Sequence, residues 1–363
     1  MPAARCAPLA LIAFLLAVGC VAPASPSAPA ATSSGSAAGA PAASVPAAPP
    51  ASQQPAGPRA AVRAIYVALG MNSAPFWLAK EEGFFDQQGL DVEMTYVAGA
   101  VQPAQALTAG DALFSSGGAT SVTPARLAGA DLVLLGSQVD TFQFQIFARP
   151  DIQRPEQIKG TRMGITRLGA ATDWAARAAL RYWSMDPTDA TLVQLNGNPE
   201  ILTGLEAGAV ESGVLTDPTT QVAREHGYRE LLDLADTGVP FSPTGLVSTD
   251  TIVRTREDTV RRFARAWVDA IHYLATNKPG SIAVIAKYMQ SDDAAGLSDA
   301  YDYHLAKHLK RIPYPSVGAV QTVLDGLAET DPKARDAKPE QFVNDRFIRE
   351  LDDAGYFRQL YGS

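Results

Sequence analysis

Reactive side chains are sparse in this chain, and their spacing limits what they can do. His304 and His308 stand four apart in "YHLAKHLK", which puts two imidazoles on one helix face, a spacing that suits a zinc pair. No "HExxH" surrounds them, so they are expected on a solvated helix face with no metal held. Cysteine offers less. Cys6 and Cys20 both lie in the first twenty residues, so the rest of the chain has no thiolate ligand, disulfide or Cys nucleophile. Paired carboxylates with an evident acid–base role are absent too. What remains is backbone chemistry. "MGITRLGAATDWAARAAL" (163–180) passes from a strand through Gly169, Ala170 and Ala171 into a helix. Small residues in such a turn leave N–H groups open, and a helix N-terminus aims more of them at the same point, making a cradle for a small polar or anionic group.

Composition removes other classes of function. A net charge of −8 and the lack of any Lys or Arg run exclude a partner held by a basic surface, nucleic acid first among them. Hydrophobic residues are 47% of the chain, too many for a disordered protein.

The first sixty residues are expected to deliver the rest. Arg5 precedes an apolar run over 9–18 that is too short to span a bilayer. The run ends in "LLAVGC", which resembles the lipobox of bacterial lipoproteins, although Ala17 stands where that pattern prefers Leu. The resemblance implies a signal peptide over 1–19, lipidation of Cys20, and anchorage to the outer face of the cell membrane. Residues 20–59 are almost all Ala, Pro, Ser and Gly, a tether with a reach of about 35 Å.

Beyond it, short apolar runs alternate with amphipathic stretches. "VRAIYVALG", "LDVEMTYV", "ALFSSGG" and "DLVLLGSQV" read as strands, separated by helical "PFWLAKEEGFF", "PAQALTAG" and "SVTPARLAGA". The grammar restarts after Pro155 with "TRMGIT", "ATLVQL" and "VESGVLTD" as strands. Such alternation predicts βαβ units, mainly parallel sheets, and two lobes for some 300 residues. "ALTAGDALFSSG" and "GLEAGAVESGVL" share a helix, an Ala-Gly stop and a strand, a hint of duplication. From Thr255 the pattern turns helical: Thr255 and Asp258 fit a capping box, and Val260, Phe263, Trp267, Ile271 and Leu274 form one apolar face.

Taken in order, "PFWLAKEEGFFDQQGLDVEMTYVAGA", "ALTAGDALFSSGGAT", "IKGTRMGITRLGAAT" and "LEAGAVESGVLTDP" resemble the solute-binding proteins of bacterial ABC importers. The group in question serves nitrate, taurine, aliphatic sulfonates and thiamine pyrimidine precursors. The resemblance implies an α/β, two-lobed periplasmic-binding-protein fold of type II, with two hinge crossings near 148–155 and 239–245. The first lobe would comprise 60–149 plus 244–363, with the helical region on it, and the second 150–243. It further implies a monomer that captures a small sulfonate-, nitrate- or pyrimidine-like solute, passes it to a permease and its ATPase, and carries no cofactor. Enzymes built on the same plan hold their metal or cofactor through Cys, which this chain lacks beyond Cys20. A sensing lipoprotein without a transporter is the other reading.

In doubly wound sheets ligands sit beyond the carboxyl ends of strands. The expected contacts are therefore Asn72 and Ser73 after the first strand, and Ser116, Gly117, Gly118 and Thr120 after the third. The second lobe offers Thr166, Gly169, Ala170, Thr172, Asn196, Asn198 and Asp217, and Gln143 in "TFQFQIF" adds an amide. Each has a structural alternative: a tight turn for Gly117 and Gly118, helix N-caps for Asn198 and Asp217, and core packing for Trp77 and Trp174. Arg167 is the one cation in these loops, and Asp173 at the helix start satisfies the helix dipole and would oppose a bare anion, so a zwitterion or neutral heterocycle fits as well as an anion.

Overall fold

The computed structural model describes residues 59–362 apart from 98, 218 and 329; the leader, Cys20 and the tether lie outside the described residues. Ten strands are formed there: β1 (Ala60–Tyr66), β2 (Leu90–Tyr96), β3 (Phe114–Ser115), β4 (Leu132–Gly136), β5 (Gln145–Ala148), β6 (Arg162–Ile165), β7 (Thr191–Gln194), β8 (Ser212–Leu215), β9 (Arg229–Asp233) and β10 (Leu246–Thr249). They make two five-stranded sheets, ordered β2-β1-β3-β10-β4 and β7-β6-β8-β5-β9. The plan is the same twice. In each, the first strand lies parallel to the second and third, and one antiparallel visitor separates the third from the fourth. The shared phrase in the sequence occupies matching places: the Val101–Ala109 helix leads into β3 as the Asn198–Glu206 helix leads into β8.

The visitors correct one boundary. β5 pairs along its whole length with β8 and β9, so "QIFA" belongs to the second sheet and the outgoing crossing is 137–144, not 148–155. All four residues of β5 are buried, as are all five of β4, so neither run carries an alternation that tells which sheet it joins. Hydrogen-bond partners decide it. The chain returns over 238–245 before β10 enters the first sheet.

The helical region packs on the first sheet. Val260, Phe263, Trp267, Ile271 and Leu274 of the Glu257–Thr276 helix are all buried in one core with Phe76, Trp77, Phe85 and Phe114. Phe263 stacks on Phe114 at 4.0 Å between ring centres and lies 4.7 Å from Phe85. The expected capping box is not formed. Thr255 closes the preceding Asp250–Thr255 helix and its hydroxyl donates to the Thr251 carbonyl, while Asp258 pairs with Arg262 at 2.8 Å. The chain breaks at Arg256 (φ −133°, ψ 38°), which puts Thr255 inside the earlier helix. The working cap is Thr249, whose hydroxyl accepts from the Ile252 amide. Trp77 is fully buried in the core, whereas Trp174 packs against the cores of both sheets.

One helix of this region reaches across. On Ala294–Lys307, the Tyr303 hydroxyl donates to Asp233 Oδ2 (2.6 Å) and accepts from Gln145 Nε2 (2.8 Å), and Lys307 pairs with Asp236. The far partners sit on β5, on β9 and just after β9, so this helix fastens the first lobe to the second.

Candidate functional site

Between the sheets lies a cavity of about 210 Å³. Its floor is the turn 68–72 that follows β1, and opposite stand Thr216 and Asp217, which follow β8. Gln143 and Phe144 enter from the outgoing crossing, and the Ala294–Lys307 helix closes the side with Gly296, Leu297, Ala300, Tyr303 and His304. The carboxyl ends of β1 and β8 thus both meet this space, as a doubly wound sheet requires of a ligand site.

A chain of hydrogen bonds fixes the polar wall. Gln138 Nε2 donates to the Asn72 carbonyl at 2.7 Å and holds the turn, and Asn72 Nδ2 donates to Gln143 Oε1 at 3.2 Å. Gln143 Nε2 in turn lies 3.2 Å from His304 Nδ1, and Thr141 Oγ1 lies 2.7 Å from His308 Nδ1. Both imidazoles keep Nε2 buried with no hydrogen-bond partner among the described residues. Burial pushes His304 down to about 3, with His308 adding to the shift, and pushes His308 down to about 4 against the opposing pull of Asp233. Both are therefore neutral at neutral pH. Burial and the Asp233 carboxylate push the Tyr303 phenol up, so it stays a donor.

This corrects the reading of "YHLAKHLK". His304 is 2% exposed and His308 5%, because the far face of their helix is covered by the crossing and by the second lobe. Among the described residues no three His, Cys, Asp or Glu side chains converge as metal ligands.

The structure brings Asn72, Gln143 and Asp217 to the cavity and leaves the other expected residues elsewhere. Ser73 is buried beside Asn72 with its hydroxyl unpartnered. Ser116 Oγ accepts from the Val67 amide at 3.1 Å and so braces the turn after β1. Gly117 and Gly118 are small for packing: a Cβ on Gly118 would meet the backbone of Ser242, Pro243 and Thr244 in the return crossing. The Ser242 carbonyl accepts from the Ala119 amide at 2.8 Å, so the helix N-terminus there is already filled, and Thr120 beside it does not line the cavity.

The loop 163–180 closes on itself. Thr172 Oγ1 accepts from the Thr166 amide (3.0 Å), and Asp173 Oδ2 accepts from the Gly169 amide (2.8 Å) while Oδ1 takes Arg177. Ala170 is the helix N-cap, its amide donating to the Arg167 carbonyl. The cradle is occupied by its own side chains. Accordingly, Thr172→Val should cost about 1 kcal/mol in urea unfolding, from leaving the half-buried Thr166 amide without this partner, and should leave solute affinity unchanged.

Asn196 takes the left-handed conformation (φ 72°) that Asn tolerates, its amide donating to the Thr166 carbonyl. Asn198 is not the N-cap, which is Gly197; its Oδ1 accepts from the Thr216 amide at 3.1 Å and so positions the loop that carries Asp217. Asp217 accepts the Thr220 hydroxyl. Five of the lining residues that sequence reasoning missed lie on one helix, Ala294–Lys307. Gly296, Leu297, Ala300 and His304 recur at a helical period, a stripe legible in the sequence but lost among Asp299, Asp302 and Lys307.

Comparison with known proteins agrees with this architecture. The family described as NMT1/THI5 like matches residues 70–281, more than half of the chain. The chain belongs to the NMT1/THI5-like family. A Brucella abortus (strain 2308) protein that carries the name of a binding protein is 21% identical over 271 residues, 74% of this chain and 84% of that one. Among solved structures, a Bordetella bronchiseptica RB50 protein superimposes with a TM-score of 0.67 at 20% identity, covering 82% of this chain and 98% of its own. The periplasmic aliphatic sulphonate binding protein SsuA of Escherichia coli gives 0.64 at 18%, covering 78% and 92%. The periplasmic nitrate-binding protein NrtA of Synechocystis PCC 6803 gives 0.64 at 16%, covering 82% and 89%. At these identities the likeness speaks for the fold: family and chain share the α/β periplasmic-binding-protein architecture.

Proposed function

We propose that this protein is the solute-binding receptor of an ABC importer, working outside the cytoplasm and closing its lobes over a small solute. The observation that carries the reading is a single cavity walled from both lobes and the crossing: Asn72 from the first, Asp217 from the second, Gln143 from between. Rotation of the lobes reshapes such a cavity, so solute binding and closure are one equilibrium, and a permease with its ATPase can recognise the closed form. Family membership, the binding-protein relatives and the fold support it. Lipidation at Cys20, with residues 20–59 as tether, would hold the receptor at the outer face of the membrane as a monomer. Binding without turnover is part of the proposal.

A thermal-shift screen of small solutes tests it. A true solute at a hundredfold excess over its dissociation constant should add about 2.7 kcal/mol of stability. Asn72→Ala should lose most of that shift and Ser116→Ala should keep it, and denatured protein should release the solute unchanged. No shift across the panel, with no small molecule released from the purified protein, would count against a receptor.

A further inference from the structure

The lobes meet at a second place besides the polar contacts of Tyr303 and Lys307. On the Val317–Leu327 helix of the first lobe, Val320, Val323 and Leu324 are buried in the core of the first sheet. Gly318, Thr322 and Gly326 stand four apart on a neighbouring face of that helix. That face is turned toward the other half of the molecule. A Cβ on Gly318 would stand 3.0 Å from Cγ of Pro240 in the return crossing. A Cβ on Gly326 would overlap the indole of Trp174, 3.1 Å from Cη2 and 3.2 Å from Cε3, with Cζ3 closer still. Thr322, between them, folds its hydroxyl back onto the Gly318 carbonyl at 3.2 Å. Trp174 itself rides on the Ala171–Tyr182 helix, which enters the core of the second sheet through Ala175, Ala176, Ala179 and Leu180. A second-lobe tryptophan is thus seated on a first-lobe glycine, where any larger residue would collide with it.

Position and chemistry both set this contact apart. Gly318 and Gly326 are eight residues apart, about 12 Å along the helix. In a hinge rotation displacement grows with distance from the crossings, so Pro240 stays near its glycine while Trp174 is lifted from its own. When lobes part, water replaces the hydrogen-bond partners of Tyr303 and Lys307, but it does not replace the apolar seat of an indole. Of the two contacts, the indole is therefore the one that favours closure.

Resting on the receptor reading above, we infer that Trp174 is a closure latch: its indole docks on Gly326 as the lobes close, leaves it as they open, and sets how far the solute-free protein rests toward the closed form. Trp174 does not line the cavity, so it acts on solute only by positioning the lobes. The bare turn before it gains a purpose as well. Thr172 and Asp173 fix the turn and the start of the helix, and that helix start carries the indole to the first lobe.

Small-angle X-ray scattering and acrylamide quenching of the full chain, with no solute added, test this. In Gly326→Ala a better helix former replaces glycine, so the helix is kept while the new methyl denies the indole its seat. The expected result is a larger radius of gyration and a quenchable fraction raised by one of the chain's four tryptophans. Trp77 and Trp267 are fully buried in the first lobe, and Trp183 packs within the second, so none of the three changes with closure. Trp174→Ala should enlarge the radius as much, and the double variant Gly326→Ala/Trp174→Ala no further, because the methyl has nothing left to strike. Trp174→Ala, which removes atoms and adds none, carries the test if Gly326→Ala fails to fold. A parent-like radius in either folded single variant overturns the inference. So does a double variant whose expansion is the sum of the two, which would place the effects in separate elements and not in their contact. Either failure leaves the receptor reading standing, since that reading is decided by the solute screen.

Discussion

Taking this protein from pH 7 to pH 5 is expected to cost about 4 kcal/mol of stability, two protons' worth, through His304 and His308 alone. The sign follows from burial. The unfolded chain protonates each imidazole near 6.5, whereas the folded one resists until about 3 and about 4. Stability is therefore complete above 6.5 and is lost as pH falls below it, at roughly 1.4 kcal/mol per unit per histidine, until the native values are reached. His272, also pushed down by burial and by Arg311, adds to the same slope. Carboxylates held low by partners, such as Glu211 by Arg162 and Glu350 by Arg261, begin to matter only below the 4.5 of a free glutamate. The window from 7 to 5 thus belongs to histidine. Urea unfolding at half-unit intervals measures it, and the double variant His304→Gln/His308→Gln should flatten the slope by nearly two protons. An unchanged slope in that variant would mean the pair is solvated in the native state.

The second large effect is expected at Gly118. Changing it to Ala should lower stability by about 3 kcal/mol or more, visible as a melting point lower by several degrees. The new Cβ would stand 2.6 Å from Pro243 C and 2.8 Å from Thr244 N, with the Ser242 carbonyl oxygen closer still, and all three are backbone. That backbone has little room to give. Ser242 O holds the Ala119 amide, and Ser242 Oγ donates to Ser137 Oγ at 2.9 Å, so the outgoing and return crossings are tied together beside this glycine. Gly169 is the control: it has φ 75° and nothing within 4 Å of its would-be Cβ, so Gly169→Ala should cost only the left-handed penalty of about 1–2 kcal/mol. If Gly118→Ala melted like the parent and lost only solute affinity, the loop would serve a ligand and not the crossings.

These two glycines show where sequence reasoning reaches and where it stops. A bare loop between strand and helix is legible, and each reads as a place to hold a ligand. What fills a cradle is not local information. In one case it is Asp173 and Thr172 from the following turn, in the other Ser242 from more than a hundred residues on. The two lobes were readable because βαβ alternation repeats along the chain, and the face of the Glu257–Thr276 helix because its apolar period is clean. β5 was not assignable, since a run buried on both faces has no period to follow. The histidine pair was seen and misjudged: flanking charges made its helix look solvated, while the cover comes from Gln143 and Thr141. Asn72, Gln143 and Asp217 do line the cavity, because strand ends and crossings are topological features, which survive errors in register.

The two visiting strands also set the order in which the sheets can be completed. In the second sheet the visitor β5 is made before β6, β7, β8 and β9, so residues 145–233 contain every strand that sheet needs. The first sheet has no such independence. β3 and β4 do not pair with each other; each pairs with β10, which lies beyond the whole of the second lobe. A chain emerging from its N-terminus can join β1 to β2 and β3 at once, but β4 has no strand to pair with until residue 246 arrives. Closing that contact spans more than a hundred residues and carries the entropy of a loop that long, unless the second lobe has already folded and shortened it. Synthesis order and folding order are therefore opposed in this protein: the lobe that is begun first is the one that finishes last.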